Sequence, residues 1–205
     1  VQFPPNTILM GPQLLPIILQ ELAIGLTCGM VLSIVFSAVI MAGEKIAATS
    51  GLAFALQVDP SSGAQSPVIS QILSLFLLLL LFSTNGHLII LEMLYKSFIT
   101  IPIGGLTDFS GFIKTALSSS DIMFKMAMII SLPIISILIL INIGIGFITK
   151  SAPQLNLFSF GFPLTILGAF FAMYFSVDAF QFIFKDLLDQ SLSLVKLILK
   201  GAADG

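Results

Sequence analysis

His87 is the single histidine of this 205-residue chain, and a hydroxyl (Ser83) and a carboxylate (Glu92) stand close to it in sequence. A nucleophile, a base and an orienting acid are the ingredients of acyl transfer, but that chemistry needs a shared geometry that spacing alone does not supply. A hydrogen-bonding role at an interruption of a helix suits Asn85-Gly86-His87 better. One histidine cannot build a multi-histidine metal site, and no carboxylates fall in an H-E-x-x-H or E-x-x-H pattern. The glycine-rich stretch Asn142-Ile143-Gly144-Ile145-Gly146 lacks the Lys-Ser/Thr pair of a phosphate loop. Its small residues suggest close helix packing instead. The single cysteine, Cys28, permits no internal disulfide and sits in an apolar run as a small hydrophobe. Neither a metal, a cofactor nor an enzymatic activity is expected.

The charges are few enough to consider singly. Glu92 and Lys96 are four apart with the acid first, the favourable order for an ion pair on a helix. The sharper reading is a charge facing an aqueous path, because ionisable groups at membrane depth are functional candidates. Glu21 and Asp178 fall under the same rule.

The elements that position these residues follow from composition. Hydrophobic residues make up 57% of the chain and charged residues 9%, and the mean hydropathy is +1.12. A soluble domain carries about 25% charged residues, so a soluble enzyme, a disordered chain and a collagen-like fibre are excluded. Ten acidic residues nearly balance eight basic ones, all lysine, so nucleic acid is not a partner. A helix needs about 20 apolar residues to cross a bilayer. Four runs are long enough: Leu14 to Ala42, Pro67 to Leu91, Met126 to Thr149 and Phe158 to Val177. The predicted fold is an all-α membrane protein.

Polar connections are predicted at Gly43 to Ser66, about Glu92 to Lys125, and Lys150 to Leu157. The middle of the first, Leu52 to Leu56, is too short to span and too apolar for a solvated loop. In the second, Ser118-Ser119-Ser120 suits a helix start. The tail, 182–200, alternates polar and apolar residues at three- and four-residue steps. That pattern fits a helix lying on the membrane or packed on a partner helix. If all four runs span, six lysines lie on the side of both tails and two opposite, which places the tails in the cytoplasm. Gly and Pro interrupt most of the runs, and there is no Trp. Kinked and broken helices survive at depth only where other protein or a water-filled cavity satisfies the freed backbone groups. Hairpins of such helices, set within a larger assembly, are therefore expected.

The polar interruptions fall into three signatures. The first signature is Gly43-Glu44-Lys45-Ile46, then Gly51-Leu52-Ala53-Phe54-Ala55 and Val58-Asp59-Pro60. The second is Leu81-Phe82-Ser83-Thr84-Asn85-Gly86-His87-Leu88, followed by Ile101-Pro102-Ile103-Gly104. The third is Ala152-Pro153-Gln154-Leu155-Asn156-Leu157-Phe158, continuing to Gly161-Phe162-Pro163-Leu164-Thr165. Together the three span roughly Glu21 to Lys185, and in this order they resemble the FliR family of flagellar biosynthetic proteins. A basic residue, typically Arg, precedes the Pro-Gln motif in the family; Lys150 stands there instead. The family carries more hydrophobic sequence before the first span, which implies that sequence preceding Val1 is missing.

What the resemblance implies is one subunit domain, 1–205, of a type III protein-export gate in the bacterial inner membrane, within the flagellar basal body. FliP-like and FliQ-like subunits, other export-apparatus membrane proteins, unfolded flagellar substrates and membrane lipid are the implied partners. The connection after the first signature is implied to plug the channel. Carried over, the plug covers 54–66, with Phe54, Leu56, Gln57, Val58, Asp59, Pro60 and Gly63 its marked residues. Gly43, Glu44, Asn85, Gly86, His87, Pro102, Pro153, Gln154, Asn156, Gly161 and Pro163 carry the structural motifs. Phe54, Leu56 and Val58 suit a seal, and Asp59-Pro60 and Gly63 suit a turn. A re-entrant packing loop without gating is the plainer reading of 54–66. An injectisome export subunit and a small-solute transporter are alternatives for the whole chain. A transporter predicts paired broken helices in inverted repeats, and the sequence shows no such symmetry.

Overall fold

The computed structural model describes residues 14–52, 67–100, 109–152 and 160–203. Among these residues the chain is helical throughout, in six helices and no strands. They are α1 (Leu14–Ser50), α2 (Val68–Ser83), α3 (Gly86–Thr100), α4 (Phe109–Ser151), α5 (Phe162–Phe175) and α6 (Val177–Ala203). α1 and α4 are each long and apolar enough to cross a membrane. The bent pairs α2–α3 and α5–α6 pass the same test jointly, which gives up to four spans from the four apolar runs. The protein is an all-α membrane protein with broken helices.

α1 runs eight residues beyond the predicted boundary at Ala42, straight through Gly43-Glu44-Lys45. The reason is periodicity. Ala38, Val39, Ala42, Gly43, Ile46, Ala47 and Ser50 are all buried, a stripe that continues at helical spacing across the two charges. Glu44 is exposed and Lys45 half-buried, so neither opposes the helix. The Lys45 ammonium donates to Met128 Sδ at 3.1 Å.

α4 corrects a second expectation. Ser118, Ser119 and Ser120 lie inside this 43-residue helix and do not cap its start. Ser119 is buried on the inner face. Serine competes with the backbone of an isolated helix, but a long helix packed along one side tolerates three. Pro133 also sits within α4. Gly144 and Gly146 face open space, with nothing within 4 Å of an added Cβ. The close packing expected at these glycines is not made among the described residues.

The tail is helical from Val177 to Ala203, longer than predicted at both ends. Phe184, Leu187, Leu188, Ser191, Leu192 and Val195 are buried by this chain. Asp178 occupies the first turn, where a carboxylate complements the positive end of the helix.

The chain divides into two compact units. One gathers the described parts of Val1–Val35, Leu81–Met123 and Asp186–Gly205; the other gathers Phe36–Leu80 and Phe124–Lys185. In the second unit the core is built from Val39, Ile46, Ile69, Leu73, Leu77, Met126, Ile130, Ile134 and Leu138, all at most 1% exposed. Phe184 closes it, with Phe76 and Phe180 at ring-centroid distances of 5.8 Å each. Only 31% and 28% of the most apolar windows of α1 and α4 are buried within the chain. The remaining apolar surface requires lipid or other protein around it.

Candidate functional site

The C-terminal end of each helix leaves four carbonyls without intrahelical partners. Unpaired, each costs several kcal/mol at membrane depth, where water does not compensate. The four at the end of α1 are all satisfied. Ser50 Oγ donates to Ala47 O at 3.1 Å, and Gly51 N–H donates to Ala48 O at 3.4 Å. The other two are reached from distant helices. Asn142 Nδ2, on α4, donates to Thr49 O at 3.3 Å. Thr165 Oγ1, on α5, donates to Ser50 O at 2.9 Å. Ser50 and Thr165 are buried, at 1% and 3% exposure.

Gly51 follows with φ +84°, a left-handed conformation that ends the helix. An added Cβ here would lie 2.5 Å from Cδ1 of Phe162, the first residue of α5. Gly161, buried, precedes α5, and Pro163 sits in its first turn, where a missing N–H costs nothing. The structure thus joins Gly51, from the first sequence signature, to Phe162 and Thr165, from the third.

Gly43 does a different job in the same unit. Its Cβ would lie 2.5 Å from Cα of Ser70, so α1 and α2 cross with backbones nearly touching. Ser70 Oγ donates to Ile40 O at 3.2 Å across that crossing. Glu44 points outward and takes no part.

The second signature lies at a bend. α2 stops at Ser83, α3 starts at Gly86, and the chain turns by 67°. Asn85 adopts φ +55° at the corner. Its N–H donates to Phe82 O at 3.1 Å, and its carbonyl accepts from Leu88 and Ile89 N–H at 3.0 and 3.3 Å. Gly86 is buried against Leu81. The His87 ring lies 4.9 Å from that of Phe82, tilted by 49°. Its Nδ1 is buried without a hydrogen-bond partner among the described residues. This is a bend held by backbone bonds. α5 and α6 are bent by 66° at Ser176, whose Oγ and N–H both donate to Ala172 O.

Glu92 and Lys96 pair at 2.5 Å, with side chains 58% and 62% exposed. Glu21 lies on α1 with one carboxylate oxygen buried and without a partner among the described residues. Cys28 lies on α1, its side chain outside the described set. No group of three or more His, Cys, Asp or Glu suited to a metal occurs among the described residues. Phe54, Leu56, Gln57, Val58, Asp59, Pro60 and Gly63, together with Pro102, Pro153, Gln154 and Asn156, lie outside the described residues.

Sequence reasoning missed Asn142 and Thr165 as partners of α1. It read the first as part of a failed phosphate loop and the second only as a motif member. The signal was present, because an amide within a 24-residue apolar run must find a hydrogen-bond partner.

Long apolar helices, broken spans and buried polar side chains devoted to helix ends define an integral membrane protein built from re-entrant or bent elements. The chain belongs to the bacterial export proteins, family 1, whose sequence profile matches residues 1–191. It is 37% identical over 147 residues to the flagellar biosynthetic protein FliR of Escherichia coli (strain K12), covering 72% of this chain and 56% of that protein. The FliR protein of Buchnera aphidicola subsp. Baizongia pistaciae is 35% identical over 165 residues, covering 80% and 64%. That of Bacillus subtilis (strain 168) is 29% identical over 186 residues, covering 88% and 71%. The chain therefore spans little more than half the length of the Escherichia coli relative.

Proposed function

We propose that this chain is a subunit of the flagellar type III protein-export gate, lining part of the channel through which unfolded flagellar proteins leave. It works in the bacterial inner membrane, within the flagellar basal body, beside FliP-like and FliQ-like subunits and other export-apparatus membrane proteins. It performs no chemistry of its own. The observation that carries this reading is the match to export proteins across all three sequence signatures. The exposed apolar surface of α1 and α4 supports a subunit surrounded by other helices and lipid.

Within that reading 54–66 is the plug, with Phe54, Leu56 and Val58 sealing and Asp59-Pro60 and Gly63 turning the chain. Gly43, Asn85, Gly86, His87, Pro102, Pro153, Gln154, Asn156, Gly161 and Pro163 shape the frame around it, and Glu44 faces outward from that frame. A plug must block ions at rest and move when substrate arrives, which requires weak local stability beside a firm frame. Deleting Gln57 to Gly63 from the full-length protein should make the assembled complex leak ions while leaving assembly intact. Unchanged conductance in planar bilayers would remove the plug assignment. The full-length protein purified without partners should aggregate, and a monodisperse monomer would overturn the subunit reading.

A further inference from the structure

The end of α1 is closed by two side chains that its own sequence does not supply. A helix usually finishes with a local cap, water or a tightened last turn. Here the two outermost carbonyls, Thr49 O and Ser50 O, depend on Asn142 of α4 and Thr165 of α5. Both donors are uncharged, and both reach α1 from more than 90 residues away in sequence. Thr165 also bonds within its own helix, to Phe162 O at 3.0 Å, so its hydroxyl can let go of Ser50 O without losing all hydrogen bonding. Immediately beyond these bonds comes Gly51, left-handed and seated against Phe162. Backbone rotation at Gly51 is cheap, whereas movement of the α1 terminus requires two carbonyls to be stripped of their partners.

We propose that Asn142 and Thr165 are positioning residues that latch the end of α1, fixing the direction in which the chain leaves at Gly51. The proposal rests on the plug reading of the segment that follows. The latch sets how firmly the root of that segment is held, and so how rarely the resting gate opens. Neither residue touches the exported chain; each acts through α1.

The chemistry of the latch dictates the test. Thr165→Val keeps shape and removes the donor; Thr165→Ser keeps the donor and removes a methyl. Asn142→Leu keeps size and removes the amide. The buried Thr165 bond contributes about 0.5–1.5 kcal/mol, so its loss should raise resting conductance about two- to tenfold; Asn142 is exposed, and losing its bond should act at the low end of that range. In planar bilayers, full-length assembled complex carrying Thr165→Val or Asn142→Leu should leak at normal subunit content, and Thr165→Ser should stay near wild type. Deletion of Gln57 to Gly63 serves as the open reference. If the deletion leaks and both donor-removing variants remain tight, the latch is wrong and the plug stands. If the deletion does not leak, the plug reading fails and the latch falls with it. If Thr165→Ser leaks as much as Thr165→Val, the hydroxyl is not the latch. If Thr165→Val prevents assembly, the bond is a folding requirement, which equally overturns the proposal.

Discussion

Gly43 and Ser70 meet where two helix backbones nearly touch: the Cβ that Gly43 lacks would lie 2.5 Å from Ser70 Cα and 2.8 Å from its backbone nitrogen. A side chain there meets main chain, which does not swing aside as a rotamer does. Gly43→Ala should therefore force α1 and α2 apart at a cost of about 1–3 kcal/mol, the usual range for overpacking. The temperature at which the assembled complex dissociates on native gels should fall. A variant as heat-resistant as wild type would show that the crossing is looser than described.

Gly168 provides the contrast. A Cβ there meets the Cδ1 methyl of Ile141, with Leu138 Cδ2 further off at 3.8 Å. Both are the free ends of flexible side chains, and Gly168 is itself in the middle of α5. Repacking one rotamer costs about 0.5–1.5 kcal/mol, partly offset by the roughly 0.5–1 kcal/mol that alanine gains over glycine in a helix. Gly168→Ala should change the same dissociation temperature little. A loss equal to that of Gly43→Ala would mean that the distinction between backbone and side-chain obstruction does not govern these sites.

Much of this architecture is legible in the apolar runs, because a bilayer-length stretch without charge leaves little choice but helix. The ends were not. Gly43-Glu44-Lys45 reads as a loop by composition, yet the buried stripe from Ala38 to Ser50 carries the helix through it. Ser118 to Ser120 reads as a cap, but a cap works only where a helix begins, and that beginning is set by sequence further upstream. The apolar face of the tail gave no hint of its partner, since Leu187 and Leu188 suit lipid, a foreign helix or this chain equally. Residues defined by one geometry, such as Asn85 at its corner, announced themselves through turn-forming neighbours. Residues defined by a tertiary partner, Asn142 and Thr165, were visible only as polar atoms in apolar surroundings. Nothing in a single sequence pairs them with Thr49 and Ser50.

Asn85 holds φ +55° between two helices. Asparagine tolerates this conformation better than other residues with a Cβ, and glycine tolerates it best. Asn85→Gly should keep both the bend and export of flagellar proteins near wild type. Asn85→Val should cost about 1–2 kcal/mol and lower the amount of assembled complex in membranes. If valine assembles as well as glycine, the left-handed corner is not a constraint on this bend.

Gly51 combines both problems, a φ of +84° and a ring 2.5 Å from any added Cβ. The two costs can be separated. Gly51→Ala pays about 1–2 kcal/mol for the left-handed backbone and a further overpacking cost against Phe162. Phe162→Ala removes the ring, so in the double variant only the backbone cost of Gly51→Ala should remain. A double-mutant cycle on the dissociation temperature of the complex should then show favourable coupling, since residues in contact do not add. Simple additivity of Gly51→Ala and Phe162→Ala would mean that the ring does not press on the turn, and that the end of α1 is shaped by backbone conformation and its four carbonyl partners alone.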